Sequence, residues 1–142
     1  MKKAVLFLSA FIFSLSLFAQ QKAAGDVVKF KEMVYDFGKI KQSVPVNHDF
    51  IFTNISDGPI VIESAVASCG CTTPVKPEGA VPKGKDNKIN AGFNAAAPGP
   101  FNKTITVKLA GIDLPLQIRI TGEVLTADAY TKYQTESGKA KS

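Results

Sequence analysis

Leu114-Pro115-Leu116-Gln117-Ile118-Arg119-Ile120-Thr121 decides the fold. Leu114, Leu116, Ile118 and Ile120 alternate with Pro115, Gln117, Arg119 and Thr121. A period of two places successive side chains on opposite faces, so the stretch reads as a strand with one buried and one wet side. Upstream, Phe101 to Leu109 repeats the pattern, with Ile105, Val107 and Leu109 inward and Thr104, Thr106 and Lys108 outward. Ala110-Gly111 between the two runs suits a tight hairpin. Pro98-Gly99-Pro100 cannot continue a strand.

Working further back, Lys88 to Phe93 is a short strand, and the polar Val75 to Asn87 reads as a long loop. Ile60 to Ala67 is a strand in which Ile60, Ile62 and Val66 share a face with Ser64. Asp57-Gly58-Pro59 before it is a turn, because Gly accepts positive φ and Pro fixes the next φ. Val46 to Thr53 alternates with Val46, His48, Phe50 and Phe52 on one face, and Val27 to Tyr35 is rich in strand formers before a bend at Phe37-Gly38. About seven short strands separated by turns predict an all-β fold, an antiparallel β-sandwich. The expected core is Phe30, Phe50, Phe52, Ile60, Ile62, Val66, Ile89, Phe93, Ile105, Val107, Leu116, Ile118 and Ile120. No helix longer than about two turns is expected.

The ends differ from this body. Lys2-Lys3 followed by the apolar Ala4 to Ala19 reads as an export signal over residues 1–19, with cleavage before Gln20-Gln21. The apolar run is shorter than the ~20 residues of a spanning helix, so no membrane span is expected in the mature form. No cysteine follows the signal to carry a lipid, which predicts a periplasmic or secreted protein. Residues 20–26 are a polar lead-in, 27–125 the sandwich domain, and 126–142 a polar tail expected to be disordered. The net charge is +5, of which Lys2 and Lys3 supply two. The other basic residues are dispersed rather than interleaved with aromatics along a stripe, so no nucleic-acid partner is expected.

Little in the chain points to catalysis. The single histidine, His48, lies on a strand face with phenylalanines and reads as a core or rim residue. No nucleophile motif, phosphate-binding loop or paired carboxylate set accompanies it, so the expectation is a non-enzyme without a cofactor. The two cysteines stand out: Ser68-Cys69-Gly70-Cys71-Thr72-Thr73-Pro74. In an extended strand the side chains of residues i and i+2 lie about 6.5–7 Å apart, too far for a disulfide unless the chain bends. Gly70 would permit that bend. Three readings of Cys69, Gly70 and Cys71 are compatible with the spacing. They are a local structural element, a thiol pair that exchanges with a partner, or a copper(I) site on Cys69 and Cys71. Zinc would need two more ligands.

The order F-x-x-T-N-x-S-D-G-P-I-x-I, S-C-G-C-T-T-P, P-x-G-K-x-x-K-I and G-P-F-N-K-T-I resembles a family of exported bacterial proteins, domain of unknown function fifteen-seventy-three. That family is similar to Hydin-type immunoglobulin-like domains. The resemblance covers about Val34 to Val124 and carries to Asn54, Gly58, Cys69, Gly70, Cys71, Thr72, Pro74, Gly84, Gly99 and Phe101. It implies an immunoglobulin-like sandwich and export, and no activity. The expected function is a binding or structural module with a protein or peptide partner in the cell envelope. The alternative is a thiol-redox or copper(I) protein using Cys-Gly-Cys.

Overall fold

The computed structural model describes residues 21–139. The segment read as an export signal and residues 140–142 lie outside the described residues. Among the described residues, nine strands form two packed sheets. They are β1 (Val28–Phe30), β2 (Val34–Lys41), β3 (Val46–Asn54), β4 (Ile60–Ala67), β5 (Thr72–Val75), β6 (Ala80–Val81), β7 (Asp86–Phe93), β8 (Gly99–Leu109) and β9 (Leu116–Leu125). The first sheet has the order β1-β3-β7-β5 and the second β2-β9-β8-β4-β6. Among the described strands the chain therefore changes sheet at every connection except β8 to β9, including the crossings from β3 to β4 and from β4 to β5.

The core lies between the sheets, where the alternation predicted it. Ile105, Val107, Ile118, Ile120, Phe50, Phe52, Ile62 and Ile89 are all fully buried. Leu116 opens the last strand buried, whereas Leu114 lies before it and is exposed. Burial of each large apolar side chain contributes about 1.5–3 kcal/mol, which makes this layer the main source of stability.

Several expectations need correction. Gly99 and Pro100 do not interrupt a strand but open β8, opposite Val124 and Glu123 at the end of β9. Among the described residues nine strands replace about seven, because Val27 to Tyr35 holds β1 and the start of β2, and the stretch read as a long loop contains the end of β5, all of β6 and the start of β7. The second sheet is mixed rather than antiparallel, because β2 pairs parallel to β9; alternation reports faces, not strand direction. Val66 is not in the core but 61% exposed. The pairing of β4 with β8 shifts between Ile62 and Ser64, so Glu63 is an extra residue that reverses the alternation. Ala65 and Ala67 pack on the core in its place. The hairpin after β8 is wider than the two residues Ala110-Gly111, since β9 resumes only at Leu116.

A further correction is the tail. Residues read as disordered form α1 (Ala127–Lys139), longer than two turns. Thr126 caps it: its Oγ1 accepts from the Ala129 N–H at 3.4 Å and its carbonyl accepts from the Tyr130 N–H at 2.9 Å. Asp128 in the first turn complements the helix dipole. Tyr133 lies beneath the Lys39 ammonium of β2, 4.9 Å from the ring centroid. The lead-in is also partly structured, with Ala23 bridged to Leu114 and Ala24 buried in a short helical turn (Ala24–Asp26).

Candidate functional site

The cysteine segment is the crossing from β4 to β5, at one end of the sandwich. Cys69 and Cys71 are joined as a disulfide with their Cα atoms 5.3 Å apart, closer than an extended strand allows. The chain bends through a turn in which the Thr72 N–H donates to the Cys69 carbonyl at 3.3 Å. The turn is tied to both sheets. The Ser68 N–H donates to the Thr104 carbonyl at 2.9 Å, and the Thr104 N–H donates to Ser68 Oγ at 3.2 Å. On the other side, the Asn94 N–H donates to the Cys71 carbonyl at 3.1 Å. Thr72 is buried, with its hydroxyl 3.7 Å from Cys69 Sγ.

Gly70 plays a different part from the one expected. It is not among the glycines with positive φ, and a methyl group added to it would meet nothing within 4 Å. The bend does not require glycine. What glycine provides is an uncovered backbone on the exposed rim, beside the disulfide.

That rim borders a shallow cleft of about 270 Å³. Gly70 and Cys71 form one wall and residues 96–100 the other, and Lys103 is also part of the lining. The floor is Phe93 and Phe101, stacked at 4.2 Å between centroids. Phe101 is fixed from behind by Gly122. A methyl group there would lie 2.7 Å from Phe101 Cζ and 2.8 Å from the Gly38 carbonyl oxygen. The far wall is held too. Ala95 adopts φ 51° and Ser43 φ 61°, and the Ser43 N–H donates to the Ala95 carbonyl at 2.9 Å. Gln42 Nε2 donates to the Ala96 carbonyl at 3.1 Å. Left-handed backbone is unfavourable at non-glycine residues, so these contacts hold the loop in a shape it would not adopt alone.

The sulfur atoms are bonded to each other, so copper(I) binding would first require reduction to thiolates. His48 is not brought to the cysteines. Its ring stacks on Tyr35 at 3.5 Å, meets Phe50 edge-on at 4.9 Å, and places Nε2 2.8 Å from Glu32 Oε1. It is a rim residue clamping β3 against β2, as its strand face implied. No helix among the described residues is long and apolar enough to cross a membrane.

The structural centre that the pattern alone did not reveal is Asn54, at the crossing from β3 to β4. It is fully buried. Its Nδ2 donates to the carbonyls of Gly58 and Val81, both at 2.8 Å. Its Oδ1 accepts from the Ser56 N–H at 2.9 Å and from Ser56 Oγ at 2.7 Å. Its backbone pairs with Lys85 and Gly84. One side chain thus holds the β3–β4 turn and β6 together. The signal was the run Thr53-Asn54-x-Ser56-Asp57-Gly58: an asparagine ending a strand two residues before a serine favours a side-chain turn.

The family profile described as "Protein of unknown function (DUF1573)" matches residues 28–124. The chain belongs to this family. None of the curated proteins matches the sequence. Among solved structures, a protein of unknown function from Porphyromonas gingivalis W83 is similar with a TM-score of 0.58 and 12% identity, over 68% of this chain and 46% of that one. The chain thus spans about half the length of that protein. The PapD-like domain 7 of human CEP192 is similar with a TM-score of 0.58 and 9% identity, over 71% of this chain and 87% of the domain. The VesB protease of Vibrio cholerae is similar with a TM-score of 0.54 and 12% identity, over 70% of this chain and 32% of the protease. At such identities the likeness concerns the fold, an all-β sandwich of the immunoglobulin and PapD type.

Proposed function

We propose that this protein is an exported, non-enzymatic module of the cell envelope that holds a protein or peptide partner at the disulfide end of its sandwich. The observation that carries the reading is the cleft between Gly70-Cys71 and the Ala95–Pro98 loop. Its floor is aromatic, its walls are pinned by hydrogen bonds and the disulfide, and its rim is left bare at Gly70. A pre-shaped recess of this size accepts one apolar side chain of a partner while the rim contacts its backbone. Export rests on the basic and apolar amino-terminal run.

The test is site-directed crosslinking in envelope preparations from an exposed position in the far wall, Ala97, with Gly70→Arg and Ala96→Arg as blocking variants. A single crosslinked partner, lost in both variants while the domain stays folded, supports the reading. Crosslinking unaffected by either variant contradicts it. Mass spectrometry of the exported protein checks processing: the expected species begins near Gln20 without an acyl adduct.

The second reading, a thiol-redox or copper(I) protein, draws on the same rim. The disulfide borders the exposed Gly70, and the Thr72 hydroxyl lies near Cys69 Sγ, where it could donate to a thiolate released there. A thiol-exchange assay and a copper(I) competition titration separate the two. Exchange no faster than a peptide disulfide, with only weak copper(I) binding after reduction, favours the binding module.

A further inference from the structure

The second sheet has an edge that is only partly covered. β6 pairs with β4 at Ile60 and Val61 alone, so from Ser64 onward the edge has no hydrogen-bonded strand, although β5 of the first sheet, beyond the cysteine turn, packs near β4. The ladder on the other side fixes which backbone groups face outward. The Ser68 N–H donates to the Thr104 carbonyl, so Ser68 and Thr104 form a hydrogen-bonded pair. In an antiparallel ladder such pairs alternate, which makes Val66–Thr106 another and leaves Ala65 and Ala67 between them. The N–H and C=O groups of Ala65 and Ala67 therefore point away from β8, to the open edge. No hydrogen bond to them is found among the described residues.

The other edges are protected. On β5, Pro74 has no N–H, and the Thr72 N–H is engaged by the cysteine turn. The strand β1 has only three residues. On β2 the pairing is interrupted between Asp36 and Lys39, and α1 reaches it through Tyr133.

The open strip reads Ser64-Ala65-Val66-Ala67-Ser68, the same in both directions. From this we infer that the strip pairs with the same strip of a second copy of this chain, antiparallel about a two-fold axis at Val66. A two-fold interface brings one surface patch against itself, so the strip must be self-complementary, and a palindrome is. Each Ala65 exchanges N–H···O=C bonds with Ala67 of the second copy. Val66, 61% exposed in the single chain, meets Val66 of the second copy on the outer face. Ser64 meets Ser68 of the second copy, where the Ser68 hydroxyl still has a proton to donate. The strip carries no charge, so no like charges oppose one another across the axis. The product is one continuous sheet through two sandwiches, with both disulfide turns flanking the junction. The inference does not rest on the cleft, whose lining includes none of Ser64 to Ser68.

Analytical ultracentrifugation of the isolated protein over a concentration series tests the pairing. A reversible monomer–dimer equilibrium is expected. Val66→Lys puts two ammonium groups face to face on the axis, and Val66→Glu two carboxylates. Each alone should weaken the dimer by at least about tenfold, while an equimolar mixture of the two should recover it as a heterodimer. Because Val66 is exposed, both variants keep the monomer's circular-dichroism spectrum and melting temperature. Ala67→Pro, which removes an outward N–H, should weaken the dimer equally. A protein that stays monomeric at every concentration overturns the inference. So does a dimer indifferent to both charge variants, or one that the mixture fails to restore.

Discussion

β4 is held at its two ends by opposite means. At its start, the crossing from the first sheet is secured by Asn54, a buried side chain with every polar atom engaged. At its end, the crossing back is secured by a covalent bond closing a very short loop. The difference teaches where stability and accessibility reside. Buried hydrogen bonds are modest in net value, but leaving their partners unmade is costly. A disulfide acts mainly on the unfolded chain, and a short loop has little entropy to remove, about 1.5 kcal/mol. The polar end is therefore the stronger lock. The covalent end is the more exposed one.

The sharpest way to break this comparison is Asn54→Ala. It removes a donor from the Val81 carbonyl, leaves the Gly58 carbonyl to the Ser56 hydroxyl alone and frees the Ser56 N–H, and should cost about 3 kcal/mol in urea unfolding. Asn54→Asp should be nearly as damaging, because it removes both amide donors. Next is Gly122→Ala, at the disulfide end but in the packing beneath the cleft. The new methyl would overlap Phe101 and the Gly38 carbonyl, at a cost of about 1–3 kcal/mol by the same measurement. Replacing Cys69 and Cys71 together by Ser should cost about 1.5 kcal/mol and leave the domain folded by circular dichroism. Gly70→Ala should change stability by no more than about 0.5 kcal/mol, since the methyl meets nothing. A larger loss there would show that the turn itself needs glycine.

The smallest expected effect lies on the outer face of the first sheet. The Lys88 ammonium, 2.6 Å from Asp49 Oδ2, and then the Asn90 amide hold the Asp49 carboxyl below its usual 3.8. A carboxyl with a depressed pKa in the folded state contributes stability above its unfolded value and loses it as the pH falls through the folded value. The urea midpoint should therefore drop slightly more between about pH 5 and about pH 3 than in Lys88→Met, which lacks the pairing. Equal slopes would remove Asp49 from the account.

The sandwich was legible because alternation is a local signal. Leu116, Ile118, Ile120, Ile105 and Val107 declare their faces in sequence, and the structure buries all of them. Val66 departs from its expected face because a single extra residue, Glu63, reverses the phase, and no composition marks a bulge. The direction of β2 was not legible, since parallel pairing with β9 is a long-range choice. The tail's polarity hides a capped helix, whose local signs are Thr126 and Asp128. At the site, Cys69 and Cys71 were identified by rarity alone. The cleft needed Phe93 and Phe101 to meet from different strands. Asn54 was visible only as part of a resemblance until its partners Gly58 and Val81 were placed around it.

The most direct test of the central claim is equilibrium urea unfolding of three samples side by side: the oxidised protein, the same protein with its disulfide reduced, and oxidised Asn54→Ala. The account predicts one cooperative transition in each, with reduction removing about 1.5 kcal/mol and Asn54→Ala about twice that. Reduction that unfolds the domain, or that costs more than Asn54→Ala, would contradict it.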